Sequence, residues 1–143
     1  MSVSETYAGN IVVVQGPFEY SVKASGALNE GRVVELNTNV TGLPEGIVCV
    51  QQASNNSSAP VGYVDADWEA NDVAVVYTGG IARLEDSGSG YGIGERVMCA
   101  ADGKVKTYAS GTAGAIVGVA METASASKFA QVFVNISYNS DVA

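Results

Sequence analysis

Hydrophobic and polar positions alternate along most of this chain, in short runs separated by turn residues. Phe18-Glu19-Tyr20-Ser21-Val22 alternates residue by residue, and Val105-Lys106-Thr107-Tyr108 does so again further on. A period of two is typical of β-strands with one buried face, whereas an amphipathic helix repeats its apolar positions every three to four residues. The pattern offers no convincing amphipathic helix, so it predicts strands throughout.

About ten short strands follow from this pattern, with turns rich in Gly, Asn, Asp and Ser between them. The predicted strands cover residues 18–22, 32–36, 47–51, 59–64, 73–78, 81–84, 94–99, 105–108, 116–120 and 131–136. Residues 90–136 form the most compact group, in which a turn at Asp102-Gly103-Lys104 joins two strands. Many short strands without helices predict an all-β fold, either a sandwich or a barrel.

The order of polar and apolar segments also suggests how the chain is divided. Residues 1–17 start polar, contain one short apolar run and end at Gly16-Pro17, which marks a turn, so we expect an N-terminal arm. Residues 18–143 are the right length for a single β domain. Within it, two halves at 25–84 and 89–136 resemble each other, with similar strands and polar breaks in the same order, so they are candidates for an internal duplication.

Composition and charge narrow the choice of partners. The 143 residues have a formal net charge of -8, and no stripe of Lys or Arg offsets it, so the chain would repel nucleic acid. The longest early apolar run is Ile11-Val12-Val13-Val14, too short to span a membrane. Because the first residues lack the basic start of a signal peptide, we expect synthesis in the cytoplasm and no membrane partner.

The side chains of most common catalytic sites are missing. There is no histidine, which excludes Ser-His-Asp and Cys-His centres and histidine-ligated metals. Cys49 and Cys99 lie far apart in apolar strand patterns, so buried free thiols are favoured over a disulfide or a metal site. The glycine-rich residues 88–94 lead into a strand, which favours a flexible joint over a phosphate-binding loop. We therefore expect neither catalytic residues nor a cofactor.

Two hypotheses about chemistry, a nucleotide hydrolase and a Ca²⁺ site, stay open. Gly62-Tyr63-Val64-Asp65-Ala66-Asp67-Trp68 resembles a motif of trimeric dUTPases, and this resemblance implies that Asp65 binds the sugar and Trp68 lies near the ring. The acidic side chains around it are potential oxygen ligands for Ca²⁺, although solvation of an acidic turn explains them better. They are Asp65, Asp67, Glu69 and Asp72.

Sugar binding is a third alternative, and it would need exposed aromatic side chains. The candidates are Tyr63, Trp68 and Tyr91, although packing in the core explains aromatic residues more often. A receptor-binding or carbohydrate-binding β domain therefore stays open beside the dUTPase-like enzyme.

A longer series of segments resembles the head decoration, or capsid cement, proteins of tailed phages. It begins at Val73-Ala74-Val75-Val76-Tyr77-Thr78-Gly79-Gly80, continues through Gly94-Glu95-Arg96-Val97 and Ala101-Asp102-Gly103-Lys104-Val105, and ends at Ile116-Val117-Gly118-Val119-Ala120 with the small residues after it. The resemblance covers residues 59–136 well and the first part of the chain loosely. Glu95 stands where an Asp is commoner in that family.

This resemblance implies a β-clip or β-tulip-like domain that stabilises an assembled viral head. It implies a homotrimer on the outer capsid surface of the virion, with the major capsid protein as its partner. It also implies that the N-terminal arm lies on the capsid protein, with contacts from six residues. These are Thr6, Tyr7, Ile11, Val12, Val13 and Val14.

Overall fold

The computed structural model describes residues 19–55, 59–109 and 114–138. The expected arm, residues 1–17, and all six expected capsid contacts lie outside these ranges. Within them the regular structure consists of strands apart from one short 3-10 turn, which confirms the all-β prediction. In the part of the chain that the structure describes, no helix is long and apolar enough to cross a membrane.

Ten strands and one turn of 3-10 helix, Ala101–Gly103, make up the described fold. The strands are β1 Glu19–Ala24, β2 Arg32–Leu36, β3 Cys49–Gln52, β4 Pro60–Val64, β5 Val73–Tyr77, β6 Gly79–Glu85, β7 Arg96–Cys99, β8 Val105–Thr107, β9 Ala115–Ala120 and β10 Phe129–Tyr138. Strands β1 to β5 close into a barrel in the order β1-β3-β2-β4-β5. Strands β6 to β10 form a second sheet in the order β6-β10-β9-β7-β8.

The two sheets follow the same pairing plan. The antiparallel pairs β1–β5, β2–β3 and β2–β4 of the barrel correspond to β6–β10, β7–β8 and β7–β9 of the second sheet. Both β2–β4 and β7–β9 carry a register irregularity, after Val34 and after Val97. The molecule therefore consists of two units of one design, which we call the barrel unit and the sheet unit.

Equivalent loops also make equivalent hydrogen bonds. Leu28 and Trp68 exchange two backbone N–H···O bonds in the barrel unit, and Tyr91 and Ala124 do the same in the sheet unit. The units begin at β1 and β6, so the junction lies between Tyr77 and Gly79. The halves expected from the sequence, 25–84 and 89–136, leave out β1 and put β6 in the first half, whereas β6 pairs with β10.

Two clusters of buried apolar side chains fill the interior. One belongs to the barrel unit and centres on Leu28, Val34 and Val64. The other lies under the sheet unit and also takes in Val33, Ala53 and Tyr63 of the barrel unit. Because these three residues contribute to the neighbouring cluster, the two units share part of one core.

Polar contacts reinforce this junction. The Arg32 guanidinium lies 2.9 Å from Glu85 Oε1, and both side chains are largely buried. The Lys104 ammonium lies 3.4 Å from the other Glu85 oxygen. The Tyr63 hydroxyl donates to the Gly79 carbonyl oxygen at 2.8 Å. Apolar burial and these bonds together join the two units.

Candidate interaction surfaces

The three aromatic residues considered for sugar binding do not form an exposed platform. Tyr63 and Tyr91 are buried, and the Trp68 ring packs against the barrel core. The Tyr91 hydroxyl lies 3.1 Å from the Leu84 carbonyl oxygen and 3.2 Å from that of Ala130. Burial, aided by the charge of Asp86, raises the pKa of Tyr91 to about 12. These side chains therefore stabilise the fold.

The acidic loop after β4 uses two of its carboxylates within the protein. Asp67 Oδ1 accepts the Glu30 backbone N–H at 2.7 Å, and Asp72 Oδ2 accepts that of Glu69 at 2.8 Å. Among residues 19–55, 59–109 and 114–138, no group of three or more His, Cys, Asp or Glu side chains is placed to hold a metal ion. The loop is a hydrogen-bonded turn, as its acidic composition suggests.

Both cysteines are buried and unbonded to each other. Burial, with a smaller contribution from the charge of Glu35, raises the pKa of the Cys99 thiol to about 12. A thiol in this state is a poor nucleophile and a poor metal ligand at neutral pH, because both roles need the thiolate.

Asp86 organises the glycine-rich segment that the sequence suggested to be a flexible joint. Its carboxylate is fully buried, and Oδ2 accepts backbone N–H groups from Gly88 at 2.7 Å, Gly90 at 2.7 Å and Ser127 at 3.0 Å. The first two bonds fold the segment around Asp86, and the third ties it to the loop before β10. The sequence signal for this role is an Asp followed by Ser and Gly, which favours a side-chain-to-backbone turn.

One exposed apolar surface lies on the outer face of the sheet unit. Ile81 on β6, Phe133 on β10 and Val119 on β9 stand directly opposite one another across the strands. Ile81 is 57% and Phe133 48% exposed, and Met121 adds a fourth exposed apolar side chain beyond β9. We call these four residues the ridge. The ridge has a signal in the sequence. Large apolar residues occupy outward positions of β10, where the alternation of apolar and polar residues would place polar ones.

A second apolar surface is concave and lies on the barrel unit. It is an open groove of about 410 Å³, to which the loop before β3 contributes Leu43, Pro44, Ile47 and Val48 and β5 contributes Val73. Val73 is 68% exposed. We call it the groove. Its residues are far apart in sequence, so the sequence patterns do not indicate it.

A cleft of about 430 Å³ lies at the junction of the two units. The Tyr63 and Tyr77 rings stack there with their centroids 5.7 Å apart, beside the Asp65 carboxylate and the Arg83 side chain. The negative charge of Asp65 raises the pKa of Tyr77. The cleft therefore combines aromatic faces with charged hydrogen-bonding groups.

Comparison with solved structures gives a match in fold. The chain is similar to the N base of the head fiber protein gp8.5 of bacteriophage phi29, with a TM-score of 0.64 and 15% sequence identity. The match covers 83% of this chain and 94% of that one. No protein-family model matches the sequence, and no curated protein matches it either. At this identity the likeness establishes the all-β fold.

Proposed function

We propose that this chain is a structural protein of a tailed-phage head, and that it binds the outer surface of the assembled capsid as a trimer and stabilises it. The observation that carries the proposal is the likeness in fold to a domain of a phage head fiber, which extends over 94% of that domain. The sequence resemblance to head decoration proteins points to the same part of the virion.

Charge supports a position on the outside of the head. A chain with a net charge of -8 is repelled by packaged DNA, so an inner surface is unfavourable for it. The exposed ridge and groove supply apolar area for protein contacts, which is how such patches are generally used. The proposal assigns no catalytic role, since the buried tyrosines, the acidic loop and the buried thiols serve the fold.

In this proposal the N-terminal arm binds the capsid. Apolar residues 11–14 suit a strand added to an edge of the major capsid protein, where backbone hydrogen bonds give affinity and alternate side chains fill pockets. Three arms on one trimer act together, so each can bind weakly while the trimer stays attached.

Deletion of residues 1–15 is expected to leave a folded domain that no longer decorates capsids. The deletion leaves untouched every strand and core residue of the described fold, so the circular dichroism spectrum and the unfolding midpoint should stay close to those of the full chain. Co-sedimentation with undecorated capsids measures binding, which we expect to fall by at least about 100-fold through the loss of avidity.

Deletion of residues 2–5 alone is the matched control, because it shortens the arm but keeps the six expected contact residues. We expect this variant to co-sediment like the full chain. Full decoration of capsids by the variant that lacks residues 1–15 would contradict the role of the arm.

Glycan binding in the cleft is a second candidate function, favoured by the partly exposed Tyr77 ring and the charged groups beside it. Saccharides stack their apolar faces on aromatic rings, and their hydroxyl groups donate hydrogen bonds to carboxylates. We expect Tyr77→Ala to abolish binding in a glycan array, whereas Tyr77→Phe keeps the ring and part of the binding. An array without any hit for the full chain would remove this candidate.

A further inference from the structure

We propose that protomers associate head to tail, with the ridge of one protomer seated in the groove of the next. This inference rests on the trimer in the proposed function and names the surfaces that form it. The ridge is a row of exposed apolar side chains on the sheet unit, whereas the groove is a concave apolar surface on the barrel unit. One chain therefore carries both halves of a complementary contact.

Three of the ridge residues stand on three paired strands whose opposite face is buried in the core. Ile81, Phe133 and Val119 are paired in register across three neighbouring strands, so their row is about 10 Å long at the usual strand spacing. Buried residues Val132 and Val134 flank Phe133 along β10 and anchor the strand in the core. A half-exposed aromatic residue in the centre of an apolar row is typical of the residues that dominate protein interfaces.

The groove offers a receptor of matching size and chemistry. Its volume of about 410 Å³ lies within the range of pockets that enclose large apolar groups. Val73, Ile47 and Val48 are all exposed at its rim. Among the described residues that line it, Lys23 is the one charged side chain, and none is a carboxylate.

Charge at the two surfaces suits a second copy of this chain. Protomers with a charge of -8 repel each other in general, so they must meet where acidic residues are few or are matched. Glu122 borders the ridge, 3.6 Å from Arg83, and Lys23 lies in the groove. Arg83 balances Glu122 at the border of the ridge, and Lys23 is a cation in the groove, so the charges of these described residues add no repulsion between two acidic protomers at this contact.

Symmetry requires two different surfaces for a ring of three. A surface that pairs with its own copy gives a dimer, whereas a closed trimer joins one surface to another. Strand β5 leads from Val73 in the groove to Tyr77 at the junction, about 13 Å away at the usual rise per residue, and the ridge lies beyond it. The two surfaces therefore lie on separate parts of the molecule, as a ring contact needs.

The exposed apolar area of the ridge is enough for the centre of an interface. Four ridge side chains at 39% to 57% exposure offer roughly 200–400 Å² of apolar surface. A stable interface buries about 800 Å² on each partner, of which somewhat more than half is apolar. The ridge and groove thus supply the apolar centre, and the polar residues around them supply the rim.

Mixing two variants of the full chain tests this arrangement. Phe133→Asp disables the ridge, and Val48→Asp disables the groove; both positions are exposed, so both variants should fold. Light scattering after size exclusion should show a trimer for the unaltered chain and monomers for each variant, with self-association weakened at least about 100-fold. Ile93→Asp is the control, since Ile93 is 68% exposed and belongs to neither surface, and it should remain a trimer.

An equimolar mixture of the two variants should form a heterodimer, because only one intact ridge and one intact groove can meet. Absence of this heterodimer, or a trimer of either variant alone, would overturn the head-to-tail contact while leaving the trimer itself intact. Dissociation of the trimer when only residues 1–15 are deleted would place the arm at the interface and also overturn it. A monomeric unaltered chain would instead contradict the trimer of the proposed function, and the inference with it.

Discussion

Gly118→Ala is expected to destabilise the fold by about 3 kcal/mol or more, because the added methyl group has no room. A Cβ atom at Gly118 would lie 2.1 Å from the Phe133 carbonyl oxygen and 2.9 Å from the Phe133 carbonyl carbon. Both atoms belong to the backbone of β10, which is hydrogen-bonded on both sides. The strand can therefore yield only by breaking its ladder. Urea unfolding followed by near-ultraviolet circular dichroism measures the loss.

Gly26→Ala is the matched control, since a Cβ atom there meets nothing within 4 Å. Its unfolding midpoint should stay close to that of the unaltered chain, within about 0.5 kcal/mol. The barrel unit provides a repeat of the experiment at Gly62, where a Cβ atom would lie 2.4 Å from the Tyr77 carbonyl oxygen. Equal midpoints for the Gly118 and Gly26 variants would show that β9 and β10 do not approach this closely.

Asp86→Ala is expected to cost about 2–4 kcal/mol of folding free energy, because it leaves three partly buried N–H groups without their acceptor. The N–H groups of Gly88, Gly90 and Ser127 all bond to the same oxygen, and the other oxygen has no partner among the described residues. Asp86→Asn keeps one acceptor oxygen but adds two donors, so we expect a smaller loss of about 1–3 kcal/mol.

The control for this series is Asp67→Ala, at an exposed position where the carboxylate accepts one backbone N–H from Glu30. Its cost should be no more than about 1 kcal/mol, since water can replace the lost acceptor. The urea unfolding midpoints of Asp86→Ala, Asp86→Asn and Asp67→Ala rank the three losses of stability. An Asp86→Ala variant no less stable than the Asp67 control would contradict the role of Asp86 in joining the two loops.

The strands could be predicted from the sequence because alternation is a local property. Each predicted strand overlaps one observed strand, and the largest difference is at β10, which extends two residues further at both ends. Gly79-Gly80 reads as a turn, yet it opens β6, because Asn135 and Val134 of β10 pair with it. Glycine is unfavourable in a strand by itself, and long-range pairing outweighs that preference.

The candidate surfaces were only partly visible in the sequence. The alternation along β10 places Phe133 on the outward face. Its alignment with Ile81 and Val119, however, depends on pairing with residues that are 52 and 14 positions away in the sequence. The groove joins β1 and β5 with the loop before β3, and no sequence pattern connects these segments. The aromatic candidates Tyr63 and Tyr91 are buried in the core, where each hydroxyl donates a hydrogen bond to a backbone carbonyl oxygen.

The sequence by itself determined the fold class, the ten short strands and the exclusion of histidine chemistry, because residue type and period-two alternation decide these locally. The tertiary structure alone decided that β6 joins the second sheet, that Asp86 binds two loops, and that a ridge and a groove lie on different units. These features depend on contacts between distant residues. Their free energy comes from burial and pairing that exist only after the chain has folded.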